Sequence, residues 1–318
     1  MRILFTGASS FTGSWFVRAL AEAGHEVTAL FRRPPDGYPD ALRRERALQL
    51  QSVSRALIGT SFGNEAFRAR LRDGRFELLC HHGAEVGDYR SPAFDVVSAL
   101  AANTRDVRAC LAAFAAGGGR AVLLTGSVFE RGEGLGDTPT SAVSLYGLSK
   151  SLTHDVFAFE APRAGLAFGK FVIPNPFGPF EEARFTAHLV TRWRAGEAVV
   201  VRTPDYVRDN IHVDLLARAY VRFAESLPDA AGPARARPSG YIESQGAFAE
   251  RFAREMRTRL GLACALEHAV QTDWSEPRVR VNTDACDASA LGWDEARAWD
   301  AIAAYYAGRA GSDAGQSL

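Results

Sequence analysis

The feature that most constrains this chain is a rhythm, in which short apolar runs without polar alternation recur between longer stretches of helical period. The runs are "RILFT" (2–6), "HEVTALF" (25–31), "FELLCH" (76–81), "RAVLLT" (120–125) and "LAFGKFVI" (166–173). Unbroken apolar character suits strands covered on both faces of a parallel sheet. Between the first two runs Phe16, Ala19, Leu20 and Ala23 fall at helical spacing, and Gly24 stands where a helix ends. Strand, helix and strand in this order form a βαβ unit, and its repetition predicts an α/β chain with a doubly wound parallel sheet. One long helix is expected over 96–116, closed by Gly117, Gly118 and Gly119, and another from 144 to Pro162. After "VIPNPFGP" the alternation loosens, which predicts a smaller C-terminal lobe on the sheet's edge. Residues 32–75 show no clear pattern, and the tail 309–318 has nothing to bury and is expected to be disordered.

Composition narrows the ligand classes. Lys plus Arg equals Asp plus Glu at 37 each, so no global field favours nucleic acid or an acidic membrane surface. Cys80, Cys110, Cys264 and Cys286 are scattered without zinc-ligand spacing, which suggests core residues in a reducing compartment and no metal. No apolar run reaches the roughly 18 residues of a membrane span, and Met1-Arg2 leads directly into "ILF" without the layout of a signal peptide. A soluble cytoplasmic protein is expected.

"TGASSFTG" (6–13) sits between the first run and the first helix. Gly7 permits a sharp turn, Gly13 lets helix and strand pack closely, and backbone N–H groups at the helix's positive end can face a diphosphate. Gly7, Ser9, Ser10, Phe11 and Gly13 are therefore candidate contacts of a dinucleotide in a Rossmann sheet. The second run ends in Phe31, where such folds commonly carry an acid for the adenosine ribose, and Arg32 and Arg33 follow. Missing acid and adjacent cations favour a 2′-phosphate, hence NADP, with NAD as the alternative. Without a ligand the same pair reads as two solvated arginines before Pro34 and Pro35. In "YGLSK" (146–150) the interval places the Lys150 ammonium beside the Tyr146 phenol on one helix face, a pairing that makes a tyrosine a usable acid or base.

"TGASSFTG", "LLTGSVFE", "YGLSK", "NPFGP" and "RDNIHV" occur in an order that resembles the extended short-chain dehydrogenases/reductases of the nucleotide-sugar epimerase/dehydratase type, and "ALGW" near Trp293 is similar to the family's ending. The resemblance implies a substrate-binding role for the second lobe. It divides the chain into 1–173 with about 204–228 returning to it, and 174–203 with 229–308. It implies that Thr125, three residues before Val128-Phe129, completes a catalytic trio with Tyr146 and Lys150, with Ser127 a second hydroxyl at the substrate. "HHGAEV" is similar to the loop after the family's fourth strand, placing Gly83 and Ala84 along the cofactor and His81 where a buried core histidine is the plainer reading. Asn103 would be structural. Asn175 and Arg208 match residues that contact the nucleotide-sugar, although Arg208 could equally pair with Asp209 in a surface turn. Gly126 and Ser127 replace the acidic pair of the family's dehydratases, Thr60 replaces an adenine-contacting aspartate, and "EPRVRVNTD" leaves open whether Arg278 or Arg280 binds the diphosphate. The implied activity is NADP(H)-dependent reduction of a nucleotide-linked 4-keto, 6-deoxy hexose. A 4-epimerase holding NAD is the alternative, and a non-catalytic NADP sensor is disfavoured because Tyr146 and Lys150 are both kept. Two long helices per chain would pair in a homodimer.

Overall fold

In a computed structural model residues 1–89, 91–135 and 141–309 are described. The five apolar runs are strands: β1 (Arg2–Thr6), β2 (Glu26–Phe31), β4 (Leu78–His81), β5 (Ala121–Ser127) and β6 (Ala167–Ile173), with a sixth, β3 (Arg55–Ile58), from the stretch that showed no pattern. They pair in parallel in the order β6-β5-β4-β1-β2-β3. Past them β7 (Asn175–Phe177), β8 (Val199–Val201) and β9 (Val207–His212) belong to smaller sheets, whereas β10 (Ala234–Ala236) returns to extend the large one beside β6. That edge strand lies in sequence within the stretch expected for the second lobe.

Both faces of the large sheet are apolar because successive side chains alternate. Ile3, Phe5, Leu78, Cys80 and Leu123 pack with Phe16 and Leu20 of α1 (Phe11–Glu22) on one face. Leu4, Leu79, Val122 and Leu124 pack on the other against α3 (Glu65–Asp73), which follows α2 (Ala41–Gln49), and against the helices beyond it. The helix expected over 96–116 is instead two, α4 (Val96–Asn103) and α5 (Val107–Ala116). The step comes where the Arg105 carbonyl rests on Gly63, whose Cβ would lie 2.3 Å from it, and Asp106 takes the left-handed conformation, φ +47°. Then come α6 (Leu145–Arg163), α7 (Phe185–Arg194) and α8 (Val213–Ser226), whose Tyr220 ring stacks on Phe16 at 4.0 Å under the sheet.

The C-terminal lobe has its own core, where Leu189 and Trp193 of α7 meet Phe248, Phe252 and Met256 of α9 (Gln245–Leu260) and Trp299 and Ile302 of α10 (Glu295–Arg309). Short strands β11 (Pro238–Ser239), β12 (Tyr241–Ser244), β13 (Leu266–His268), β14 (Val279–Arg280) and β15 (Asp284–Ala285) join it to the rest, with β12 and β14 flanking β9. Of the tail expected to be disordered, residues 310–318 lie outside the described residues. In the large sheet β1 and β4 are neighbours whose successors run to opposite sides, and such a switch point opens a crevice at the strands' carboxyl ends.

Candidate active site

The loop after β1 is built by close contact. Gly7 has φ +78°, and a Cβ on it would lie 2.7 Å from the Cα of Gly83 in the loop after β4. A Cβ on Gly13 would lie 2.3 Å from the Gly7 carbonyl. Ser10 caps α1, accepting from the Gly13 N–H at 3.2 Å and donating to the Gly7 carbonyl at 2.9 Å. The Gly83 N–H donates to Thr6 Oγ1 at 2.9 Å, joining the two loops across the switch point. This cradle has the shape and the positive helix end that a dinucleotide diphosphate needs. Phe11 is the buried first residue of α1, and Ala84 is half-buried just past Gly83.

Two arginines not singled out in the sequence hold this loop from α2. Arg43 Nε donates to Ser9 Oγ at 3.1 Å, and the buried Arg46 donates to the Ser9 carbonyl at 3.1 Å and pairs with Glu182 at 3.1 Å. Burial pushes the Arg46 guanidinium below its usual range. The available signal was "ALRRERALQ", an arginine-dense helix soon after the second strand. Phe31 is buried at the end of β2, Arg32 is exposed at 3.8 Å from Glu85, Arg33 is exposed, and Thr60 is buried.

The expected trio divides between two settings. Lys150 is buried and donates to the Thr125 carbonyl at 2.5 Å; burial pushes its ammonium down, with Glu130 opposing. The Thr125 hydroxyl lies 3.0 Å from Nδ1 of His82. Tyr146, one helical turn before Lys150, stands edge-on to the rings of Tyr89, Phe94 and Phe129. Burial, and then the Glu130 carboxylate, push its phenol upward. The pairing with Lys150 predicted a lowered phenol; the ammonium instead serves the β5 backbone, while rings and a carboxylate surround the phenol.

The two histidines ending β4 differ. His81 is buried between Phe62 and Phe157, at 4.2 and 4.9 Å, and bonded to Thr6, as a core residue would be. His82, which sequence reasoning passed over, turns to the α1 side: its Nε2 lies 3.0 Å from Ser10 Oγ and 3.3 Å from Thr12 Oγ1. Burial first, then the Lys150 ammonium, push both rings down to about 3, so both are neutral at neutral pH. Asn103 accepts from the Glu85 N–H at 2.7 Å, a structural tie between α4 and the β4 loop.

Beyond Thr125 the chain is braced by a buried ion cluster. Lys170 of β6 lies 2.6 Å from Glu130 and 2.8 Å from Glu133, and Arg235 reaches Glu133 at 3.3 Å. Glu130 also accepts from the Ser127 N–H at 2.7 Å, and the Ser127 hydroxyl accepts from the Phe129 N–H at 3.3 Å. A Cβ on Gly126 would lie 2.6 Å from Lys170 and 2.9 Å from Glu130, so no side chain fits there without displacing the cluster.

A second group of charges converges from β9 and β14. Arg208 and Arg280, both buried, reach the same oxygen of Glu276 at 3.0 and 2.8 Å. Arg280 also stands over the Phe129 ring at 4.1 Å, beside the Tyr146 cluster. Burial and then Arg280 push Arg208 down to about 10. The alternative pairing of Arg208 with Asp209 in a surface turn is corrected: both are buried in β9, and Asp209 accepts instead from Gly240 and Asn282 N–H groups. The Arg278 guanidinium lies over Trp274 while its carbonyl accepts from Arg208 at 3.2 Å, and the Arg280 side chain is the one that shares Glu276 with Arg208. Half-buried Asn175 sits on β7 opposite Asn210 of β9. Among the described residues no cluster of His, Cys, Asp and Glu could hold a metal ion, and no helix is long and apolar enough to cross a membrane.

The NAD dependent epimerase/dehydratase family matches residues 3–233. No curated protein matches the sequence. Similar solved structures include UDP-glucose 4-epimerase of Thermotoga maritima with UDP-glucose, at 19% identity and a TM-score of 0.72 over 97% of this chain and 99% of that one. UDP-glucuronic acid 4-epimerase of Bacillus cereus with UDP-glucuronic acid and NAD reaches 0.74 at 16% identity over 97% and 99%. The dTDP-glucose 4,6-dehydratase of Streptomyces venezuelae with NAD reaches 0.71 at 20% identity over 98% of each chain. At such identities the likeness shows the fold.

Proposed function

This chain belongs to the NAD-dependent epimerase/dehydratase family, and on that premise we propose that it is a cytoplasmic NADP(H)-dependent oxidoreductase that reduces a nucleotide-linked 4-keto, 6-deoxy hexose. The observation that carries the reading is the end of β2, where no acid awaits a ribose and Arg32 and Arg33 follow Phe31, a setting that favours NADP(H) taken up for reduction over a resident NAD. The Tyr146 phenol, which burial keeps protonated, can give its proton to the developing alkoxide. Elimination of water is disfavoured because Gly126 has no room for an acidic side chain and Glu130 is tied to Lys170.

The loop residues from Gly7 to Gly13, with Gly83, Ala84 and Lys150, would hold the dinucleotide. No acid ends β2, Arg32 and Arg33 follow Phe31, and Arg43 reaches Ser9, which supports a 2′-phosphate. The epimerase and dehydratase structures that hold NAD support NAD as the alternative. When bound, the reduced nicotinamide supplies the hydride. Tyr146 supplies the proton, Thr125 and Ser127 position the reacting oxygen, and Lys150 holds the end of β5. Arg208 and Arg280 would exchange their shared carboxylate for the sugar's diphosphate, whose two charges suit two guanidiniums. Asn175 completes the nucleotide-sugar site. Exposed Val97 of α4 and Phe159 of α6, at 77% and 63%, support a homodimer through these helices.

The test is NADPH oxidation with a panel of 4-keto-6-deoxy hexoses on different nucleotides. Tyr146→Phe should slow turnover about 10²–10⁴-fold. Protein that purifies with NAD and interconverts two nucleotide-hexoses without added reductant would establish the epimerase instead.

A further inference from the structure

His82 precedes Gly83 and Ala84 in "HHGAEV" and has no role of its own in the proposed activity, yet its ring is bonded at both ends. Nδ1 is 3.0 Å from the Thr125 hydroxyl, and Nε2 is 3.0 Å from Ser10 Oγ with Thr12 Oγ1 at 3.3 Å. Its plane is set by Phe5 and Phe16, whose ring centroids lie 5.6 and 5.4 Å away. The proton positions follow from the partners. Ser10 has one hydroxyl proton, for which the Gly7 carbonyl at 2.9 Å is the nearest acceptor, and it accepts from the Gly13 N–H. That assignment makes the Ser10 oxygen an acceptor toward His82 and puts the ring proton on Nε2. A neutral imidazole with its proton on Nε2 has a lone pair on Nδ1. Thr125 then donates its hydroxyl proton to Nδ1.

We propose that His82 is a positioning residue acting through Thr125: the ring takes the Thr125 hydroxyl proton on Nδ1 while its own Nε2–H is held by Ser10, so one side chain aligns the catalytic hydroxyl with the dinucleotide loop. Two consequences follow. The Thr125 rotor is locked, and Thr125 keeps lone pairs but no free proton, so the proton for the reacting oxygen comes from Tyr146. A displacement of the loop also reaches Thr125 through one rigid ring. The inference rests on the reading that Thr125 touches the reacting sugar.

The experiment uses the full chain with ¹⁵N-labelled histidine, with and without NADP⁺, and needs no substrate for its first reading. The His82 ring should show the Nε2–H form without titrating between about pH 5 and 8, and Thr125→Val should shift its Nδ1 resonance. An Nδ1–H form, a ring that titrates near its ordinary value, or an Nδ1 resonance indifferent to Thr125→Val overturns the proposal.

The second reading is single-turnover NADPH oxidation with dTDP-4-keto-6-deoxyglucose as probe. His82→Leu should slow hydride transfer up to about 10²-fold through misplacement alone, with KM for the probe little changed. His82→Asn, whose amide oxygen can stand where Nδ1 stands, should restore most of the rate, and His82→Leu should cost nothing further in a Thr125→Val background. If His82→Leu slows that background as much as it slows the parent, His82 does not act through Thr125. If the ring spectra are as expected but Thr125→Val turns over at the parent rate, it is the catalytic reading of Thr125 that fails. If the probe is not turned over, the ring spectra decide.

Discussion

Replacing Lys170 by methionine tests whether the charge cluster under the site is held together as described. Methionine keeps the stem in the β6 core and removes one ammonium, leaving Glu130 and Glu133 to share the partly exposed Arg235. Lys170 is 3% exposed and both carboxylates 1%, so water cannot take over the lost pairing. Breaking a buried ion pair by removing one partner costs about 3–5 kcal/mol. Against a total stability of about 5–15 kcal/mol this is a large fraction. At about 1.5 °C per kcal/mol for a chain of 318 residues, from an unfolding entropy of about 2.1 cal/mol/K per residue, Tm should fall by roughly 4–8 °C. The decisive comparison is the triple variant Lys170→Met, Glu130→Gln, Glu133→Gln, in which both unpaired carboxylates are removed and the half-exposed Arg235 is left to water. It should recover most of the loss in calorimetry or urea unfolding near neutral pH. A single variant within about 1 kcal/mol of the parent, in the range of ordinary surface changes, or a triple variant no better than the single one, refutes the account.

Glu181 is buried, accepts from the Tyr306 hydroxyl at 3.1 Å and is pushed up to about 7 by burial. Its folded value lies above its unfolded one, so its contribution is present at low pH and is lost as pH rises from about 4.5 to about 7. Glu181→Gln should therefore be stabilising at pH 8, by up to about 3 kcal/mol, and neutral near pH 4; a stability difference flat across that range contradicts the assignment. Gly13→Ala places a Cβ 2.3 Å from the Gly7 carbonyl, so NADP⁺ affinity by fluorescence titration should fall at least tenfold. Parent-like binding would mean the loop does not contact the cofactor. Arg280→Met should weaken nucleotide-sugar binding by calorimetry while leaving NADP⁺ binding unchanged, as befits a charge on the substrate side; equal loss of both would contradict it.

Several elements were legible because they depend on local chemistry. The five unbroken apolar runs needed burial on both faces, and only a parallel sheet with helices on each side supplies that. Gly7 and Gly13 marked the loop because no other residue tolerates those approaches. Other features had no local signature. β3 and α2 were unreadable because the segment 32–75 is dense in arginine, and its two key arginines gain meaning only from Ser9, which is distant in sequence and adjacent in space. The break between α4 and α5 depends on Gly63 meeting Arg105 across the fold.

Sequence alone determined the five apolar strands of the large sheet and the helix after the first of them, the loop that turns at Gly7, and the presence of a phenol and an ammonium one helical turn apart. These follow from side-chain period and backbone permissiveness, which act between near neighbours. Tertiary structure alone decided where the charges go: Lys150 to the Thr125 carbonyl, Lys170 between two glutamates, the Arg280 side chain to the carboxylate it shares with Arg208, and His82 rather than His81 toward the Thr125 hydroxyl. The reason is electrostatic, since a buried charge or ring nitrogen must find its partner wherever folding places one, and that partner is seldom close in sequence.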